Sequence, residues 1–301
     1  MVKPIVCIGA ALVDEMYQCK QTPIQGTSNP SSYQRFAGGV ARNVAHHLAL
    51  LGHNVELITH FGRDSEGDWL REVCSKAGIG LSNSCISDSG TGRFAAILSP
   101  DGELFTAASV TALEEEITPA FLQSHSDFLA SASLLVLDCN LSLESLRWLL
   151  DFARVYQLKV VIEPVSVSKA SKLKTLNLEG VLLITPGEEE LLALENDSEI
   201  QQRGILNIWL RKGKQGSTLI LPNEEFSEPA PNVEVTDTTG AGDAALAGWI
   251  HALTRDKNPV ECVRYGHALA ALILQTKGAV LESLSLALLQ ASFENLYGYK
   301  K

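Results

Sequence analysis

Short apolar runs recur along the chain with longer amphipathic stretches between them. Ile5 to Val13, Val55 to Thr59, Leu134 to Leu137, Val160 to Ile162, Val181 to Ile184 and Ile205 to Leu210 are each nearly continuous in apolar residues. Runs of this length, lacking polar alternation, suit strands covered on both faces, so they predict an α/β fold with a mostly parallel sheet flanked by helices. The helices show as stripes. Val40, Val44, Leu48 and Leu51 share one face of Gly39 to Leu51, and Leu146, Leu149, Leu150 and Ala153 share one face of Ser142 to Tyr156. From Gly240 onward the pattern is nearly all helical, through Ala244 to Leu253, Pro259 to Gln275 and Leu284 to Leu296.

Two regions break the rhythm. Met16 to Phe36 is polar and carries Gly and Pro, while Arg93 to Leu98 and Glu103 to Ala107 flank Pro100-Asp101-Gly102, a hairpin signal. Both predict strands standing off the main sheet, a small projecting β lid drawn from about residues 14–37 and 92–110. With no repeat, low-complexity tract or long linker, residues 1–301 are expected to form one domain carrying that lid.

Composition narrows the classes. A chain that is 46% hydrophobic can bury a core, which excludes disorder and fibrous repeats. The balance of 35 acidic against 24 basic side chains, net −11, argues against nucleic-acid or anionic-membrane partners while leaving room for a small anion held locally. No stretch approaches the roughly 18 to 20 apolar residues that cross a bilayer. The apolar opening runs into Asp14 and Glu15 without a charged start or cleavage site, so it reads as a first strand, not a signal peptide. Cys7, Cys19, Cys74, Cys85, Cys139 and Cys262 are dispersed with no C-x-x-C pair, as expected of reduced packing thiols in a cytoplasmic protein.

The most informative stretch is Asp237-Thr238-Thr239-Gly240-Ala241-Gly242-Asp243, expected to follow a strand at Val233 to Val235 and to open a helix. Small residues let backbone N–H groups approach a ligand, and a helix N-terminus favours negative charge, so this turn can cradle a phosphate. Asp243 then reads in two ways: as a complement to the helix dipole, or as a general base that takes a hydroxyl proton while the neighbouring amides hold a transferring phosphoryl group. Gly240 to Ala245 also fits the loose G-x-G-x-x-A dinucleotide fingerprint, but that turn belongs after the first strand, where Gly9-Ala10-Ala11-Leu12 has no second glycine. The P-loop pattern and the protein-kinase H-R-D and D-F-G signatures are absent. A second cluster, Gly38-Gly39-Val40-Ala41-Arg42-Asn43, precedes a helix; helix entry accounts for the glycines, whereas Asn43 suits a ligand hydroxyl.

Together, Gly38-Gly39-x-x-x-Asn43-x-Ala45 with Gly52 and Gly62, and the Asp237 to Asp243 turn about 200 positions later, resemble the paired signature of the ribokinase family of carbohydrate kinases, the phosphofructokinase-B type. Within it, Gly38 to Ala45, Asp101-Gly102-Glu103-Leu104, Asp138-Cys139-Asn140-Leu141 and Glu163-Pro164-Val165-Ser166 are similar to the pseudouridine kinases, and the likeness runs through essentially the whole chain.

The resemblance implies a ribokinase-like fold and ATP-dependent phosphorylation of the 5′-hydroxyl of a ribosyl nucleoside, pseudouridine foremost. Ribose, adenosine or another nucleoside is the alternative acceptor, and an inactive nucleoside-binding relative the alternative function. It assigns Asp243 as base, Gly240, Ala241 and Gly242 as anion hole, and Asp14, Gly38, Gly39 and Asn43 as the acceptor site. Lys212, Gly213 and Gly216 would lie over the nucleotide and His267, by pattern alone a helix-packing residue, beside the adenine. Glu190 would support Mg2+, Asp237 and Thr239 a K+ ion, and the lid strands a homodimer. Three departures stand out: Gly187 where relatives carry an asparagine before Glu190, Arg211 where they carry a threonine and where basic residues could meet triphosphate charge, and Ser109-Val110 where many carry Asn-Asp.

Overall fold

In the computed structural model, which describes residues 3–194 and 197–298, the apolar runs become strands. In chain order these are β1 (Ile5–Ile8), β2 (Leu12–Cys19), β3 (Ser31–Gly38), β4 (Val55–Ile58), β5 (His60–Gly62), β6 (Cys85–Ser87) and β7 (Arg93–Leu98). They continue with β8 (Leu104–Val110), β9 (Leu134–Asp138), β10 (Val160–Glu163), β11 (Val181–Ile184), β12 (Ile208–Arg211), β13 (Ser217–Ile220) and β14 (Glu225–Glu228).

The main sheet has the order β14-β13-β12-β11-β10-β9-β1-β4. It is parallel from β4 to β12 and antiparallel through β13 and β14. Every residue of β1, β4, β9 and β10 is buried, the burial that parallel strands between two helical layers require. One apolar layer packs Val44, Leu48, Leu246, Ile250 and Leu269 of three helices, Val40–Leu50, Ala241–Leu253 and Pro259–Leu274, onto the sheet. The other packs Leu146, Leu149 and Leu150 of Leu143–Tyr156 on the opposite face. The Pro259–Leu274 helix begins where its sequence says, with Asn258 and Glu261 forming a reciprocal capping box and Pro259 in the first turn.

A separate four-stranded sheet has the order β3-β2-β7-β8, and β8 is exposed along its whole length. The single apolar run Ile5 to Val13 therefore divides between two sheets. The buried Asp138 carboxylate explains the break: it accepts the N–H of Ala10 at 2.9 Å, of Ala41 at 3.0 Å and of Asn140 at 2.9 Å. Ala10 thus spends its donor on Asp138 instead of a neighbouring strand. That one carboxylate ties the turn after β1, the start of the Val40–Leu50 helix and the turn after β9.

The expected strand at Val233 to Val235 does not form; this stretch runs without regular structure because β14 already closes the sheet edge, and both valines line a cleft instead. β13 and β14 escaped the pattern because Ser217, Thr218, Glu225 and Ser227 interrupt their apolar residues.

Candidate active site

The carboxyl ends of β10, β11 and β12 meet the N-terminus of the Ala241–Leu253 helix around a cleft of about 770 Å³. Open α/β sheets place ligands at such carboxyl ends. Gly240 caps the helix in a left-handed conformation, φ 74°, and a side chain there would strike the Ala279 backbone at 2.5 Å. The first bond into the helix runs from Ala244 N–H to the Gly240 carbonyl at 2.9 Å, so among the described residues the Gly242 and Asp243 amides have no chain partner and are left for a ligand. Ala241, Gly242 and Asp243 all line the cleft.

Asp243 takes one hydrogen bond, from Asn43 Nδ2 at 2.7 Å. Burial pushes its carboxyl up to about 7, reinforced by the negative Glu163, while the Asn43 bond and Arg211 pull it down. A carboxyl poised there can give or take a proton near neutrality. Asn43 Oδ1 is occupied by Arg42, and among the described residues one amide hydrogen of Asn43 has no partner.

On the Asn43 side, reached through Asp243 and outside the residues that line the cleft, Asp14 of β2 lies against Gly38 at the end of β3. A methyl group on Gly38 would collide with Asp14 Oδ2, so this glycine makes room for the carboxylate. Gly39 is the helix N-cap. Burial raises Asp14 to about 6 against the opposing pull of Arg42. Arg42 is itself buried, donating to the Gly38 carbonyl at 3.2 Å and to the Ala37 carbonyl, with His46 Nδ1 2.9 Å away. It fixes the junction that carries Asp14, Gly38 and Asn43.

On the other side, Trp209, Gly213, Lys214, Gly216, Ser217 and His267 line the cleft with apolar Val233, Val235 and Leu274. Trp209 Nε1 donates to Ser217 Oγ at 2.8 Å, which leaves the Ser217 hydroxyl to donate to His267 Nε2, also 2.8 Å away. Burial lowers the His267 pKa, in keeping with a neutral ring. Lys212 does not join this wall; its ammonium is 2.9 Å from Thr218 Oγ1 on β13.

Between the two sides lies a charged floor. Arg211 Nη2 donates to both oxygens of buried Glu163, at 2.6 and 2.7 Å, and Thr185 Oγ1 donates to Glu163 Oε2 at 2.6 Å. Glu190 accepts the Gly187 N–H at 2.8 Å, and burial raises its carboxyl. No group of three or more His, Cys, Asp or Glu among the described residues could cage a metal. Glu190, with acceptor capacity left, fits a hydrated Mg2+ brought in on phosphates, the common mode for this ion. Asp237 spends its oxygens on the N–H groups of Thr239 and Gly278, each at 2.9 Å, tying the turn before the Ala241–Leu253 helix to the loop after the Pro259–Leu274 helix. Glu163 and Arg42 went unassigned in the sequence reading, although both stand inside the motifs that carried it.

Residues 2–285 match the model of the pfkB family of carbohydrate kinases. An uncharacterized sugar kinase of Escherichia coli is 30% identical over 262 residues, 82% of this chain and 72% of its own. The pseudouridine kinase of Escherichia coli is 28% identical over 306 residues, covering 97% of this chain and 96% of its own. The structure of Arabidopsis thaliana ribokinase with ribose and ATP superposes with a TM-score of 0.84 at 22% identity, over 98% of this chain and 99% of that one, a likeness of fold. A glycine-rich helix entry with free amides, a buried carboxyl beside it and a match along nearly the whole chain converge: this protein belongs to the pfkB family of sugar and nucleoside kinases.

Proposed function

We propose that this kinase transfers the γ-phosphoryl group of ATP to the 5′-hydroxyl of a ribosyl nucleoside, with pseudouridine as the preferred acceptor. The observation that carries the reading is the Asn43–Asp243 bond, which joins a residue of the acceptor side to a carboxylate on the phosphate-cradling turn. The motifs shared with pseudouridine kinases and the Escherichia coli relative favour the acceptor; Trp209, His267 and the apolar wall suit a purine ring.

Asp14 and the remaining Asn43 hydrogen hold ribose hydroxyls and aim the primary hydroxyl at Asp243. As the hydroxyl oxygen bonds to the γ-phosphorus, the bond from that phosphorus to the β–γ bridging oxygen breaks, ADP leaves with its electron pair, and the hydroxyl proton passes to Asp243. The Gly240 to Asp243 turn receives the charge on the equatorial oxygens. Glu190 would hold the water shell of Mg2+, which neutralises phosphate charge when bound. The proposal extends to K+ at Asp237 and Thr239, to closure of the four-stranded sheet over the acceptor, and to pairing of two copies through that sheet.

The test is ADP release by the purified protein with ATP, Mg2+ and pseudouridine, uridine, adenosine or ribose, with and without K+. Transfer to pseudouridine at the highest kcat/KM supports the reading; a higher value for ribose or adenosine reassigns the acceptor, and no transfer to any of them overturns it.

A further inference from the structure

Arg211 is the best-placed cation in the cleft, and its two terminal nitrogens have different surroundings. Nη2 is committed to the two Glu163 oxygens and to the Thr185 carbonyl. Nη1 has no hydrogen-bond partner among the described residues, and it lies where a methyl group built on Gly242 would come within 2.7 Å of it. A guanidinium clamped on one edge by a buried carboxylate, with its other edge turned to the phosphate-cradling turn, is pre-organised to receive an oxyanion.

We propose that Nη1 of Arg211 contacts the transferring phosphoryl group, supplying from within the chain a fixed positive charge beside the Gly242 amide. The assignment rests on the kinase reading and adds to it. Glu163 acts as a positioning residue that holds the guanidinium edge-on, and Thr185, bonded to both, completes the clamp. Gly187 leaves the approach open: it is bridged to Arg211 across the neighbouring strand ends and projects no side chain toward the floor. Arg211 also faces Asp243 and Glu190, so its removal leaves Glu163 and Glu190 as unrelieved negative charges around the base, Asp243.

The experiment compares Arg211→Ala and Glu163→Gln with the unmodified protein. The readouts are kcat, the pH–rate profile, and calorimetric affinity for Mg·ADP with and without aluminium fluoride, a planar stand-in for the phosphoryl group. Arg211→Ala is expected to lower kcat by about 10² to 10³-fold. Affinity for ADP with aluminium fluoride falls with it, while affinity for ADP alone changes little. Millimolar guanidinium should restore part of the lost turnover, and the acid limb of kcat should move to higher pH. Glu163→Gln, which keeps the cation but loosens its clamp, should give a smaller loss that guanidinium does not relieve. Normal kcat in Arg211→Ala overturns the proposal, as do equal losses of both affinities with a lowered melting temperature and no rescue, the behaviour of a structural strut. Absence of transfer by the unmodified protein sinks the kinase reading and this one with it, whereas normal transfer by Arg211→Ala sinks this one alone.

Discussion

Replacing Asp243 by asparagine should remove activity and strengthen the fold at the same time, and the structure sets the size of both effects. The carboxyl sits at about 7, against 3.8 for an unperturbed aspartate, chiefly because burial disfavours its charge. Between about pH 4 and pH 7 the folded chain therefore holds a proton that the unfolded chain has released, and stability falls as pH rises through that window. A difference of about three units, at about 1.4 kcal/mol each, caps the loss at roughly 4 kcal/mol above pH 7. Partial exposure of the carboxylate reduces it toward roughly 1 to 2 kcal/mol. The substituted amide carries no charge and can still accept from Asn43, so Asp243→Asn should melt several degrees higher at pH 8 and about level with the unmodified protein at pH 4. General-base assistance is worth roughly 10² to 10⁴ in rate, so kcat should fall by that range while the affinity for ADP holds. The assay is kcat and melting temperature on the same preparations across pH 4 to 9. A variant that turns over normally, or one that melts lower at pH 8, would falsify the argument, since a carboxylate that merely complements the helix dipole would cost roughly 0.3 to 1 kcal/mol of stability on removal.

Other consequences can be checked alongside. If Asp14, held at about 6, grips ribose hydroxyls as proposed, protonation replaces a charge-assisted acceptor by a weaker neutral one, so the acceptor KM should rise as pH falls through 6 while the KM for ATP does not; a flat acceptor KM across pH 5 to 8 would place Asp14 elsewhere. Gly38→Ala forces a methyl into the Asp14 carboxylate and should raise the acceptor KM by at least about tenfold, measured beside the ADP affinity, which should stay within about twofold. Glu190→Gln should raise the Mg2+ concentration needed for half-maximal rate, whereas Glu189→Gln, outside the cleft lining, should not; identical Mg2+ titrations would remove Glu190 from the metal's surroundings. Shortening the β7–β8 hairpin at Pro100-Asp101-Gly102 should increase ATP hydrolysis relative to transfer, and an unchanged ratio would separate that sheet from water exclusion.

The α/β layering was legible because β1, β4, β9 and β10 are buried on both faces and so wear their burial openly as nearly continuous apolar runs. The same rule misread Val233 and Val235, whose apolar character serves a cleft wall and not a strand: periodicity reports that a side chain leaves water, not what it meets. Asp243 could be singled out as a candidate from the chain alone because the turn around it is local. Its pairing with Asn43 spans 200 positions, and no local pattern encodes it. Arg211 and Lys212 show the same limit more sharply. Adjacent on the chain, they face opposite sides of a strand end, so Arg211 meets Glu163 on the cleft floor and Lys212 meets Thr218 on β13. Sequence supplied two cations at the nucleotide turn; only the alternation of the strand decided which one enters the cleft.

The Asp138 staple has a mechanical consequence. It pins Ala10 and Ala41, which lie just outside Leu12 and Gly38, the paired residues at the base of β2 and β3. If the four-stranded sheet closes as proposed, it would turn about a pivot fixed at that end. For a tilt of about 10°, Cys19 at the far end of β2, about 23 Å from the pivot, sweeps roughly 4 Å, while Asp14, about 7 Å from it, moves only about 1 Å. Asp14, the proposed acceptor contact, would thus stay nearly in register throughout such a swing while most of the travel fell to the distal edge, so an acceptor could be recognised before the sheet had finished moving.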